Sequence, residues 1–170
     1  MGNAAMEWEE VVEGHQAVLY RFALGLVDNE AAACELVRQT FSLWASSSPA
    51  LPIDTKVKSW LSSTLCRRFF RNHPRHLQWP IQAILDGEEA RQSGGAETVE
   101  AIDPFQVMEC LHAVSETFRV PLLLFYLQEH SCKEIAEILA MPVGAVITSL
   151  SNGKRMLHGV MEKRIQQPIA

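Results

Sequence analysis

The feature that most constrains the fold of this 170-residue chain is the stretch from His130 to Leu157. Ser131 is followed three residues later by Glu134, which is the spacing of a capping box at the start of a helix. Met141-Pro142 ends that helix, because proline has no amide hydrogen and excludes the residue before it from the α region. Pro142 suits the first turn of a second helix. Two short helices joined by a tight turn predict a helix-turn-helix.

The second helix of this pair has an apolar stripe at helical spacing, which predicts the side that faces the protein interior. Gly153 on the same helix allows a neighbouring helix to come close. The outer face is polar, as expected of a helix that reads DNA. An αα-hairpin that only packs has the same pattern, so the rest of the chain must decide between the two. The stripe consists of Val143, Val146, Leu150, Leu157 and Met161.

Composition places the chain among ordinary globular proteins, since 48% of its residues are apolar and 21% are charged. No apolar run approaches the roughly 20 residues that cross a bilayer. The first residues, MGNAAMEWEE, are acidic where a secretory signal would be basic and then apolar. We therefore expect a cytoplasmic protein without membrane insertion.

Neither a metal site, nor a cofactor, nor a catalytic function is predicted. Cys34, Cys66, Cys110 and Cys132 are widely spaced and form no CxxC pair, so we interpret them as structural thiols. The histidines are also scattered, and the one close pair in RNHPRH has no cysteine or carboxylate near it. The chain contains no phosphate-binding glycine loop and no nucleophile elbow.

Only helical periodicity occurs along the chain, which predicts an all-α fold of two small helical domains. Residues 1–76 hold three predicted helices, and residues 104–170 hold a four-helix unit that ends in the helix-turn-helix. Residues 77–103 form a Gly/Ser-rich acidic linker with one short predicted helix near residues 81–85. The net charge of −5 comes from the segment 86–104, where six acidic residues oppose Arg91. Any basic face on the two domains is therefore local.

The densest positive charge lies on the third predicted helix, which runs from Asp54 or Thr55 to about Asn72. A basic helix with aromatic neighbours, here Phe70 and Trp79, can hold backbone phosphates and stack unpaired bases. A solvated face with long arginine side chains has the same pattern and stays an alternative. The basic residues are Lys56, Lys58, Arg67, Arg68, Arg71 and Arg75.

The order of these parts resembles the bacterial extracytoplasmic-function sigma factors, the small two-domain branch of the sigma-70 family. Three segments carry the resemblance: ELVRQTFSLW (35–44), VKSWL (57–61) and FRVPLLLFYLQEHSCKEIAEILAMPVGAVITSL (118–150). The resemblance implies a monomeric factor that directs core RNA polymerase to promoters and helps to open the −10 element. It implies contacts with the β′ clamp, the β flap and promoter DNA, and an anti-sigma factor as a further partner.

The family's site residues map onto this sequence by position. The clamp-binding surface would comprise Glu35, Arg38, Gln39 and Ser42. The −10 element would meet the loop 46–54 together with Lys56, Lys58, Arg67, Arg68 and Arg71. The −35 element would meet Ala145, Thr148, Ser149, Asn152, Lys154 and Arg155 on the final helix.

That final helix departs from the family, because Ile147, Ser149 and Asn152 occupy positions that are often basic. Thr148 and Asn152 can still read base edges, and asparagine pairs well with adenine. The departure leaves an alternative open: a sigma-like decoy that binds an anti-sigma factor without reading promoters. A helix-turn-helix repressor would need a dimer face, and the sequence offers no obvious one.

Overall fold

The computed structural model describes residues 8–47, 54–72 and 104–165. These residues are helical, with short turns and no strand among them, which confirms the predicted all-α fold. The helices are α1 (Trp8–Val27), α2 (Glu30–Ser47), α3 (Asp54–Asn72), α4 (Pro104–His112), α5 (Glu116–Tyr126), α6 (Cys132–Leu139) and α7 (Val143–Ile165).

Helices α1 to α3 form the N-terminal half of the described structure, and aromatic side chains join them. Trp44 of α2 and Trp60 of α3 meet edge to face with ring centroids 5.1 Å apart. Trp8 of α1 and Phe41 of α2 make the same kind of contact at 6.0 Å. Such edge-to-face pairs add to the stabilisation that comes from burying the rings.

Helices α4 to α7 form the C-terminal half, in which the predicted helix-turn-helix is present. The Ser131 hydroxyl accepts a hydrogen bond from the Glu134 amide, and the Glu134 carboxylate accepts one from the Ser131 amide, so the capping box is complete. Ala140 ends α6 in the left-handed conformation. The chain then turns by 105° into α7, within the range of a helix-turn-helix. Gly153 lets α7 approach α5, since a Cβ there would lie 2.8 Å from Leu122.

The two halves pack against each other along a surface that we call the junction, where α1 meets α4 and α5 and where α3 meets α6. Gly25 brings α1 close to α5, because an added Cβ would lie 2.7 Å from Leu123. Polar contacts surround this point. Arg119 Nη2 donates to the Leu26 carbonyl at 3.4 Å, and His112 Nε2 lies 3.3 Å from the Asp28 carboxylate.

The junction also contains a buried polar chain that links α3, the turn before α6, and α1. His130 Nε2 donates to the Ser62 hydroxyl at 3.0 Å, and that hydroxyl donates to Gln128 Oε1 at 3.4 Å. Gln128 Nε2 completes the chain by donating to the Val18 carbonyl at 3.2 Å. Burying these polar groups without hydrogen-bond partners would be costly. The series of hydrogen bonds therefore fixes how the two halves fit together.

The predicted linker 77–103 and its short helix near residues 81–85 lie outside the described residues. The division into domains 1–76 and 104–170 therefore stays a prediction. Among the helices that the structure describes, no single one is long and apolar enough to cross a membrane.

Candidate nucleic-acid and polymerase interfaces

The first two turns of α7, the recognition helix of the pair, present an apolar surface to solvent. Ile147 is 53% exposed and Val143 is 39% exposed. The prediction that Val143 faces the interior was wrong, whereas Val146 and Leu150 are buried as predicted. Gly144 lies beside them in open space, with no atom within 4 Å of the position that a Cβ would take.

Two residues predicted to face the −35 element are instead part of the interior. Ala145 is 1% exposed and Ser149 is 4% exposed, because both lie on the side of α7 that packs against the rest of the C-terminal half. In this packing neither side chain reaches a base. The −35 prediction is corrected at these two positions.

The other predicted −35 residues are accessible to different degrees. Lys154 and Arg155 are exposed, and Lys154 Nζ lies 5.6 Å from the centre of the Tyr126 ring. Asn152 is half-buried, and its Oδ1 accepts a hydrogen bond from Arg155. The Thr148 hydroxyl donates to the carbonyl of Gly144 at 3.0 Å within the same helix. Positive charge is therefore available on α7 two to three turns beyond its apolar start.

The basic residues of α3 divide into an accessible set and one residue that belongs to the junction. Lys56, Arg67 and Arg71 are exposed, and Arg68 is half-buried. Lys58 is also half-buried, and its ammonium lies 4.0 Å from the Glu129 carboxylate of the C-terminal half. In this arrangement Lys58 faces protein rather than DNA. Of the predicted −10 loop, residues 48–53 lie outside the described part of the chain.

The predicted polymerase surface on α2 is largely exposed and held in a fixed geometry. The Glu35 carboxylate accepts hydrogen bonds from Arg38 Nε at 2.7 Å, Arg38 Nη2 at 2.6 Å and Gln39 Nε2 at 2.7 Å. Donation by Arg38 and then by Gln39 lowers the pKa of Glu35 to about 2. Ser42 is exposed one turn further along. These side chains form a charged, hydrogen-bonded patch on the surface of α2.

The buried polar chain at the junction has no counterpart among the predictions from sequence. Burial lowers the pKa of His130 below its ordinary value of 6.5, so the ring is neutral where it meets Ser62. Glu134, 3.9 Å from His130 Nδ1, opposes this shift, and the charge of Lys58 reinforces it. A serine on the inner side of a helix has no distinguishing pattern in sequence, because its partners lie more than sixty residues away.

The side chains of the described residues bring together no group of three or more histidines, cysteines and carboxylates suited to a metal ion. Of the cysteines, Cys66 and Cys110 are buried, Cys132 is half-buried and Cys34 is exposed. Burial raises the pKa of the Cys66 thiol, as expected for an unreactive structural cysteine.

Comparison with known proteins finds a similar family for most of the C-terminal half. Residues 105–157 match the family model of sigma-70, region 4. This segment is similar to sigma-70 region 4. It comprises the helix-turn-helix with its capping box and the part of α7 up to residue 157.

The fold of the whole chain matches that of a solved sigma factor. A chain in the co-crystal structure of the sigma factor RpoE in complex with the anti-sigma factor NepR from Bartonella quintana is 17% identical. The match has a TM-score of 0.64 and covers 91% of this chain and 98% of that chain. The predicted all-helical fold is thereby confirmed, and the resemblance of this chain to extracytoplasmic-function sigma factors extends to the fold.

Proposed function

We propose that this chain directs core RNA polymerase to specific promoters and helps to open the −10 element. The observation that supports the proposal is that residues of the predicted polymerase and DNA surfaces are exposed on α2, α3 and α7 of one chain. The Glu35–Arg38 patch on α2 would bind the β′ clamp, and Arg67 and Arg71 on α3 would meet the −10 element. The region 4 segment would bind the β flap, and α7 would enter the major groove at the −35 element.

Promoter binding by both halves requires the junction to open. The two promoter elements lie roughly 25 base pairs apart, which is about 85 Å of B-form DNA. Halves in contact with each other do not span that distance. The 31 residues from 73 to 103 can reach at most about 100 Å, which is long enough. We therefore infer that the packed arrangement is the resting form and that binding to polymerase separates the halves.

Separation would also release Lys58. Its ion pair with Glu129 crosses the junction, so the ammonium becomes available to DNA only when the C-terminal half has moved away. Lys58 would then be accessible to the −10 element in the open form, as Lys56 already is in the closed form. Since the neighbouring charges on α3 are already exposed, opening would complete the basic surface of that helix.

The chain's partners follow from the same proposal. It would work as a monomer in the cytoplasm, where core polymerase and the chromosome are. The solved relative was crystallised with an anti-sigma factor, and we propose a regulator of that kind for this chain as well. Such a regulator would act by keeping the Glu35–Arg38 patch or α7 from its target.

Run-off transcription with core polymerase tests the proposal. We expect promoter-dependent transcripts from the wild-type chain, and a reduced rate of open-complex formation when Arg67 and Arg71 are both changed to alanine. Arg21→Ala is the matched control, because Arg21 is an exposed arginine on α1 of the same half and is not among the predicted −10 residues. Equal rates for the double variant and the control would contradict the assignment of α3.

A second function is favoured by one observation, the absence of charge on the exposed first turns of α7. A sigma-like decoy would bind an anti-sigma factor and would not read promoters. The run-off assay separates the two functions, because a decoy yields no promoter-dependent transcript. A decoy would instead restore transcription by another sigma factor that the anti-sigma factor inhibits.

A further inference from the structure

The exposed start of α7 carries aliphatic side chains where a DNA-reading helix meets base edges. In a helix-turn-helix, the N-terminal residues of the second helix contact the bases. Val143 and Ile147 are one turn apart, so their side chains lie on the same face of α7. Both are exposed to solvent, although the core of the C-terminal half beside them is filled by Val146 and Leu150.

No charged side chain accompanies them in these turns. The positive charges of α7 begin at Lys154, which is seven residues, or about 10 Å along the helix axis, beyond Ile147. Of the hydroxyls in these turns, that of Thr148 donates its hydrogen to the Gly144 carbonyl and that of Ser149 is buried. A partner that approaches the first two turns of α7 therefore meets methyl groups and a glycine.

Gly144 is the third element of this surface. Nothing lies within 4 Å of the position that a Cβ would take there, so interior packing places no demand on this glycine. Gly153 further along the same helix differs, because Leu122 occupies the corresponding space. A glycine that faces open space on a recognition helix allows the backbone to approach the floor of a groove.

The chemistry of the major groove selects the ligand for such a surface. Each base pair presents hydrogen-bond donors and acceptors there, and the one apolar group on any base edge is the C5-methyl of thymine. We propose that Val143 and Ile147 read thymine methyl groups in the −35 element, with Gly144 permitting the close approach. Lys154 and Arg155 then hold the flanking phosphates, which positions the helix without selecting a sequence.

This inference rests on the proposed promoter binding and adds which bases are read. Val143 and Ile147 are separated by about 6 Å along the helix, so the two thymines lie one or two base pairs apart. The specificity of the −35 contact comes from methyl groups rather than from arginine–guanine pairs. We therefore expect A·T base pairs at the positions that the first turns of α7 contact.

The test uses the full chain assembled with core polymerase. Promoters are selected from a duplex library randomised over the −35 region, and the selected promoter is then made with deoxyuridine in place of each thymidine in turn. Deoxyuridine removes the methyl group and leaves base pairing unchanged. We expect enrichment of thymine at two nearby positions and an affinity loss of about three- to fourfold for each removed methyl.

A double-mutant cycle assigns each methyl to a side chain. Ile147→Ala, which keeps a good helix former at an exposed site, should bind the thymidine promoter three- to fourfold more weakly and should be indifferent to deoxyuridine at one position. Gly144→Leu should weaken binding at least tenfold without unfolding, since its side chain enters open space. Met156→Ala is the matched control, because Met156 is an exposed apolar residue of α7 half a turn away from the Ile147 face.

Three results would overturn the inference, and the first two leave the proposed function intact. One is a selected promoter that the wild-type holoenzyme binds equally with thymidine and with deoxyuridine. Another is an Ile147→Ala variant that keeps full promoter selectivity but no longer binds an anti-sigma protein, which would make the surface a protein-docking face. The third, selection of no promoter at all by the wild-type holoenzyme, would remove the proposed function as well.

Discussion

The interior of each half and the junction between the halves are built from different side chains. Inside the C-terminal half, Leu122, Ile135 and Val146 are fully buried in an apolar core. At the junction, by contrast, Ser62, Gln128 and His130 are equally buried and are joined by hydrogen bonds. Apolar cores form once and stay closed, whereas polar interfaces can reopen because their groups regain water as partners. The difference indicates two stable halves joined by a contact that can be released.

The junction is not polar throughout, which gives it a defined closed position. Gly25 and Leu123 fit closely at its centre, and the buried apolar residues of both halves form one continuous cluster. Two polar contacts, the ion pair of Lys58 with Glu129 and the contact of His112 with Asp28, lie where one member of each pair is exposed. Close packing at the centre therefore sets the position, and the surrounding polar contacts are those that water can replace.

The largest expected effect comes from the interior of a half. Leu122→Ala removes a fully buried side chain that fills the space over Gly153, and it should lower the free energy of unfolding by about 3 kcal/mol. Urea denaturation followed by circular dichroism measures the loss. A change below about 1 kcal/mol would mean that the C-terminal half is not a close-packed unit.

At the junction, Gly25→Leu should separate the halves while each stays folded. The added side chain collides with Leu123, and overpacking of this kind costs about 1–3 kcal/mol, which opening of the contact relieves. Small-angle scattering should show a larger radius of gyration at unchanged helix content. Gly159→Leu on α7 is the control, because nothing lies within 4 Å of the position that a Cβ would take there. An unfolded Gly25 variant would show that the N-terminal half depends on the junction.

Removal of the Ser62 hydroxyl should destabilise the junction less than Gly25→Leu does. Ser62→Ala leaves His130 Nε2 and Gln128 Oε1 without their partner, at a cost of about 1–2 kcal/mol. The substitution destabilises the closed form of the junction and not the interior of either half. Hydrogen exchange of α6 should therefore increase more than that of α2. Ser63→Ala, a half-buried neighbour on the same helix, should leave both unchanged. Equal increases in α6 and α2 would contradict a junction that opens as a unit.

The smallest effect concerns pH. Since burial lowers the pKa of His130, the closed form favours the neutral ring, and the open form binds the proton more readily. Closure is therefore fully stable above about pH 6.5 and weakens as the pH falls below that value. Glu134 limits the loss, because it attracts the protonated ring, and Lys58 increases it. Burial also lowers the pKa of His112, so this residue contributes to the same dependence of closure on pH.

Substitution separates these contributions. His130→Gln keeps a donor toward Ser62 and removes the titrating group, so the decline in closure below about pH 6.5 should become shallower. His158→Gln changes an exposed histidine on α7 and should leave the profile as it is in the wild type. Scattering profiles collected between about pH 5 and pH 8 report closure directly. If closure of the His130→Gln variant declined with falling pH as in the wild type, the pH dependence would come from other groups and not from His130.

Much of the fold was predictable because its signals are local. Ser131 and Glu134 form their capping box within four residues, and Gly153 marked the close approach of α7 to a neighbouring helix. The wrong placement of Val143 has a physical reason. Helical periodicity gives the direction of a side chain, but whether the first turn of a helix is covered depends on the lengths of the helices around it.

Of the candidate sites, the sequence allowed the exposure of some residues to be predicted, and their roles stay predictions. Glu35 and Arg38 lie on an exposed helical face, as do Lys154 and Arg155. Ala145 and Ser149 were misplaced because their role was assigned by family position and not by the face they occupy. The pairing of Ser62 with His130 could not be predicted, since it exists only once two segments 68 residues apart along the chain have packed.

The most direct test of a releasable junction is the distance between the halves during promoter binding. Fluorophores placed at exposed Gln16 on α1 and His158 on α7 would report it by energy transfer, in the free chain and in the holoenzyme on a promoter. We predict high transfer in the free chain and its loss in the promoter complex, as the halves move to elements about 85 Å apart. High transfer that persists in a complex producing transcript would contradict this opening.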